Sequence, residues 1–353
     1  MTEPENIVVA TATRIFTDLA DAQGIIQSRS ADWKAPLWRA LSDAGLPLAW
    51  VPEACGGSGG DLADGFGVVQ AAGRAALAVP LAETLLAGWL LAQAGLSAPA
   101  GTMTLAPAMP NDRIVLTADG TLNGSVRHIP FAADAEHIAV LADGPSGVVI
   151  ALVAASDCRI MPGDSLADEP SNAVVFTRIP PAAIAPAPAG WDRALLLQMG
   201  AIVRSLQIAG ALETALEITV RYANERVAFE RPIAKFQAVQ HNLARLAGEV
   251  AAAMTAAGSA ADAAARGATG DALLLEAAAA KIRCGEAAET ASAIAHQVHG
   301  AIGFTSEHVL HRFTLRALGW RNDFGHESHW AAVLGGRVAA RGADELWPLL
   351  ASR

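Results

Sequence analysis

The sequence predicts an α+β protein, mainly α: an N-terminal helical domain, a small middle β domain of barrel or sandwich type, and a C-terminal four-helix-bundle domain. Three observations carry this. Apolar residues recur at helical spacing from Ile7 to about Ala98, short β-type runs fill the stretch from Pro99 to about Pro188, and helical spacing returns at Trp191 and holds to the end. The expected domains are therefore residues 1–98, 99–188 and 189–353.

The elements follow in order. In the first domain Leu37, Leu41 and Leu46, then Val68, Val69, Ala72 and Ala76, repeat with helical period, and Gly56, Gly57, Gly59 and Gly60 form one loop between helices. The runs RIVLTA, HIAVLA, GVVIALVA and NAVVFTRI read as strands, with turns at Asp119-Gly120, Asn123-Gly124 and Asp143-Gly144. The linker PPAAIAPAPAG leads into a proline-free helix from Asp192 to about Glu225. Residues 249–296 are dense in alanine, the best helix former, with Leu, Met and Ile recurring. They predict two closely packed helices, with the turn at Gly267 and Gly270 and the next cap at Asp271.

Composition narrows the function. A chain of 353 residues, 52% hydrophobic and 17% charged, buries a sizeable core. Its net charge of −10 and the lack of a Lys/Arg cluster exclude nucleic acid as partner, because phosphate contacts need concentrated positive charge. Cys55, Cys158 and Cys284 are scattered without metal spacing, which fits a reducing cytoplasm. The start, MTEPENIVVATATRIF, lacks the features of a signal peptide, so a cytoplasmic protein is expected. Charges are expected to interrupt each apolar stretch before it reaches membrane-spanning length, which predicts no membrane insertion. His241, His299, His311, His326 and His329 share no metal-ligand spacing, no serine sits in a nucleophile elbow, and no metal is expected.

Three segments carry a more specific signal. Residues 37–84 hold a Pro-Glu-x-x-Gly-Gly loop between helices, beginning Leu-Trp and followed by Val79-Pro80-Leu81. Residues 226–246 read RVAFERPIAKFQAVQHNLARL, and residues 297–318 read QVHGAIGFTSEHVLHRFTLRAL. In this order, across nearly the whole chain, they resemble the acyl-CoA dehydrogenase family. The resemblance implies FAD as cofactor. It implies that Arg226 reaches the pyrophosphate of FAD bound mainly by a neighbouring subunit, a task suited to the guanidinium fork. It further implies that Phe229 and Gln237 pack on and hydrogen-bond the same dinucleotide. Gln297 and Gly300 would contact its diphosphate and adenosine, the glycine letting a backbone N–H approach phosphate. Glu230 stands where the family has Gly, and Ala301 replaces a second glycine of the Gln297 loop. Without the resemblance, Arg226 reads as a solvated helix-end residue.

The family's reaction takes a proton from the α-carbon of an acyl-CoA while hydride leaves the β-carbon for flavin N5. The resemblance places the base either at Phe324, before Gly325, or at Gly200 on the long helix, and neither is an acid. Asp323 is the candidate base and Glu327 a weaker one. Their plain structural reading is a cap and a first-turn residue of the last helix. In the β domain Thr104 is the candidate flavin donor, while His128 and Pro130 replace the family's Trp and hydroxyl residue. Trp320, Trp330 and Trp347 read as helix-packing and interface groups.

Two readings stand at this point. One is an FAD-dependent acyl-CoA dehydrogenase that passes electrons to an electron-transfer flavoprotein. The other is a non-catalytic partner subunit supplying Arg226, Gln297 and Gly300 to FAD on another chain. Either requires a homodimer, homotetramer or heterotetramer, and a bulky acyl-CoA such as a steroid side-chain thioester is a plausible substrate.

Overall fold

The computed structural model describes residues 6–351 apart from residue 168. Helices α1 (Ile7–Leu19), α2 (Ala22–Ser28), α3 (Lys34–Asp43), α4 (Leu62–Arg74) and α5 (Leu81–Gln93) come first. Strands β1 (Met103–Ala106), β2 (Ile114–Leu116), β3 (Leu122–Pro130), β4 (His137–Gly144), β5 (Gly147–Ala154), β6 (Arg159–Met161), β7 (Ser171–Ile179) and β8 (Ala183–Pro186) follow. The chain then forms α6 (Arg193–Glu225), a small hairpin of β9 (Val227–Ala228) and β10 (Arg231–Pro232), α7 (Gln237–Ala265), α8 (Gly270–His299), α9 (Leu310–Trp320), α10 (Glu327–Arg341) and α11 (Leu346–Ala351).

The sheet runs β6-β7-β3-β2-β4-β5-β8, with β1 added in parallel to β4. Asn123-Gly124, expected as a turn, lies inside β3, where Gly124 pairs with Ile114. Gly124 does take a positive φ of 159°, but that is a strand irregularity beside a register shift. Helix α5 is buried on all sides, as a core helix must be when it lacks a polar face. Its Thr84 hydroxyl accepts from the Met103 N–H at 3.0 Å and so ties α5 to β1.

Asp192 caps α6 by accepting from the Leu195 N–H at 3.0 Å. The helix runs through the centre of the fold. Against α4 it packs backbone to backbone: side chains on Gly73 and Gly210 would strike the carbonyls of Gln207 and Gln70. By length and composition α6 is apolar enough to cross a membrane, contrary to the expectation that charges would interrupt such a stretch, but its apolar window is buried inside the fold. The alanine-rich stretch forms two paired helices, α7 and α8. The cap position of α8 is Thr269 rather than Asp271, which lies in the first turn and pairs with Arg337 and Arg341.

Candidate active site

Positions 200 and 324 meet in the structure. Gly200 is buried in α6, and Phe324 is fully buried in the turn between α9 and α10, with φ 54°. A side chain built on residue 200 would run into the Phe324 ring, so the phenyl group fills the volume that the glycine leaves. The indole Nε1 of Trp330 donates to the Phe324 carbonyl at 3.1 Å and holds the turn.

One helical turn along α6, Arg204 is fully buried and engages three side chains. It donates to Asp323 Oδ2 at 2.9 Å, to Glu83 Oε1 of α5 at 2.5 Å and to Gln207 Oε1 at 2.5 Å. Its guanidinium also lies 5.8 Å from the centre of the Phe324 ring. Asp323, with 14% of its side chain exposed, is thus held as a counter-ion. A base must instead present a carboxylate lone pair to the substrate proton. Nor does Asp323 cap α10, where the Nδ1 of His326 accepts from the Ser328 N–H.

Glu327 does occupy the first turn of α10. Burial raises its pKa, but hydrogen bonds and the charge of Arg321 outweigh that and hold the carboxyl below its usual range. Lys281 of α8 is buried and donates to the carbonyls of Arg321 and Gly325, both at 2.7 Å, clamping the turn from either end. Burial pushes its ammonium down to about 8, against the pull of Asp323 and Glu327. Glu169 lies 2.7 Å from Arg316 and accepts from the Trp320 indole at 3.0 Å. Burial holds its carboxyl above the ordinary range despite the charges of Arg316 and Arg204. Sequence reasoning missed Lys281, Arg204 and Glu169; a lone lysine in an alanine-rich helix and an arginine in an apolar one were the available signals.

On the sheet, Thr104, the candidate flavin donor, is fully buried and its hydroxyl donates to the Pro130 carbonyl at 2.6 Å. His128 is exposed, with φ 56°, within the register shift of β3 between Val126 and Ile129.

The remaining candidates collect at the far end of α6. Arg226, Phe229, Gln237, Gln297, Gly300 and Ala301 are all exposed, Phe229 by 89%. Glu230 is exposed too. The segments meet where the Tyr222 ring stacks on His299, with centroids 4.3 Å apart. Gly300 ends α8 at φ 66° and ψ −146°, backbone angles open essentially to glycine alone. Its own N–H donates to the His296 carbonyl, so the expected approach of that N–H to phosphate is not available. Beside it a cleft of about 800 Å³ runs between α8 and α9, walled by Ser292, His296, Gln297, Gly300, Phe304 and Leu315. Ser292 Oγ is buried there without a hydrogen-bond partner.

A curated relative, the acyl-CoA dehydrogenase IpdE2 of Mycobacterium tuberculosis, is 32% identical over 284 residues, which cover 80% of each chain. The chain belongs to the acyl-CoA dehydrogenase family. Residues 189–326 match the family model described as acyl-CoA dehydrogenase, C-terminal domain. Among solved structures, the Tcur3481-Tcur3483 steroid ACAD G363A variant is 28% identical, with TM-score 0.83, covering 95% of this chain and 97% of that one. The ChsE4-ChsE5 complex from Mycobacterium tuberculosis shares the fold at 24% identity and TM-score 0.84, covering 96% and 98%.

Acyl-CoA dehydrogenases are oxidoreductases acting on acyl-CoA with FAD as cofactor, and the regions at the two ends of α6 fit that cofactor differently. At the Gln297 end, the exposed guanidinium of Arg226 and the buried Ser292 Oγ in a cleft suit part of a dinucleotide. Around Gly200, an aromatic ring and ion pairs fill the interior instead.

Proposed function

We propose that this chain is the non-catalytic partner subunit of a heteromeric acyl-CoA dehydrogenase. It lends Arg226, Phe229, Gln237, Gln297 and the Gly300-Ala301 turn to FAD held mainly by the other subunit. The observation that carries the proposal is the seating of Phe324 on Gly200: both family positions for the base lack an acid, and the ring occupies the space between them. Asp323, the carboxylate next to Phe324 in sequence, is engaged by Arg204.

In the assembled enzyme FAD would supply a hydride acceptor, with Arg226 and Gln297 of this chain helping to hold it, and the partner would supply the carboxylate for the α-proton. Electrons then pass to an electron-transfer flavoprotein. The substrate is an acyl-CoA with a bulky group such as a steroid side chain, a reading supported by the steroid enzyme named among the similar structures.

The test is flavin content. Purified alone, the chain is expected to be colourless; co-expressed with a catalytic acyl-CoA dehydrogenase subunit from the same genome, it is expected to co-purify with bound FAD, which R226A releases. Stoichiometric FAD on the isolated chain, reduced by an acyl-CoA, would overturn the proposal.

A further inference from the structure

We infer that Tyr222 is the positioning residue that sets Arg226 and Gly300 in register on the cofactor-sharing face. The inference rests on the proposed sharing of FAD and adds to it a residue that touches no cofactor. Arg226 ends α6 and Gly300 ends α8, so their relative placement depends on two helix ends, where backbone hydrogen bonding runs out and helices fray.

Tyr222 is the single tyrosine of the chain and stands in the last turn of α6. Its backbone carbonyl accepts from the Arg226 N–H at 2.8 Å, the final hydrogen bond before the chain leaves the helix. Its hydroxyl donates to the His299 carbonyl at 3.3 Å, satisfying an acceptor at the end of α8. The two rings stack with an interplanar angle of 24°, and His308 packs edge-on against both, at 6.2 Å from Tyr222 and 4.7 Å from His299. His299 is itself fixed, being buried with its Nδ1 on the Ala295 carbonyl at 2.8 Å. One side chain therefore joins the residue four before Arg226 to the residue just before Gly300. Recognition of a diphosphate by a guanidinium and a turn needs tolerances of about half an ångström, which frayed helix ends do not hold unaided.

The test uses Tyr222→Phe, which removes the hydrogen bond and keeps the ring, and Tyr222→Leu, which removes both. On the isolated chain, hydrogen exchange of amides 300–304 is expected to speed up in Y222L, while the middle of α8 exchanges as before. On the assembled complex, the apparent Kd for FAD is expected to rise about tenfold in Y222L and about threefold in Y222F, as loss of a stacked ring and a hydrogen bond implies. The kcat at saturating FAD stays unchanged. Should Y222L fail to fold, Y222F carries both measurements. Wild-type exchange and FAD affinity in the Tyr222 variants, with R226A still releasing FAD, would overturn the inference alone. Retention of FAD by R226A as well would overturn the shared-cofactor reading beneath it.

Discussion

The ring of Phe324 lies where a side chain of Gly200 would be, although the two residues come from a helix and a turn far apart in sequence. Gly200→Ala therefore overpacks a closed interior and is expected to cost about 1–3 kcal/mol in thermal or urea unfolding. Gly200→Ala combined with Phe324→Ala should cost less than the two single losses summed, because the two changes share one volume. Strictly additive losses would mean that the contact does not govern the site.

Arg204 faces Glu83 and Asp323 in a nearly water-free interior. Arg204→Met leaves two carboxylates without their cation, and the expected destabilisation is about 3–5 kcal/mol. Adding Glu83→Gln and Asp323→Asn removes the stranded charges and should return most of that stability. Equal stability of R204M and wild type in urea titrations would refute the ion-pair account.

Asp323→Asn also tests the chemistry. Loss of a general base lowers rate by roughly 10²–10⁴-fold. With Asp323 acting as a counter-ion, flavin reduction by acyl-CoA in the assembled complex is expected to stay near wild type while the melting temperature falls. A rate loss of the size just given would make Asp323 the base after all.

Lys281 titrates near 8 when folded and at its ordinary 10.5 when unfolded. Between these values the unfolded chain binds more protons, so stability rises as pH climbs through the window, with a slope on the order of 1 kcal/mol per pH unit. Lys281→Met is expected to lack this rise. Parallel wild-type and K281M stability curves from pH 8 to 10.5 would contradict it.

His299 behaves likewise at acid pH. Burial lowers its pKa from 6.5 to about 4, and His308 and His296 push in the same direction. The unfolded state therefore binds more protons between these values, and stability falls as pH drops from 6.5 towards 4. His299→Phe keeps a ring against Tyr222 and removes the titration, so its acid loss over this range should be shallower. The comparison is made by urea unfolding at each pH.

How much of this was legible in the sequence depends on the range of the forces involved. The limits of α6 could be read from Asp192 and a proline-free apolar repeat, and the pairing of α7 with α8 from alanine and a glycine turn, because capping and helix propensity act within a few residues. The segment from Arg226 to Gln237 and the Gln297-to-Gly300 turn were recognisable as motifs because their residues are close in sequence. The hydroxyl partner of Thr104, Pro130, was not legible because it lies on another strand. Asp323 looked like a free acid because Arg204 stands 119 positions away, and Glu83 is 121 positions from that same arginine. The identity of each side chain belonged to the sequence. Which carboxylate is neutralised, and whether a ring fills the site, was decided by the tertiary structure, because electrostatics and close packing depend on distance in space rather than along the chain.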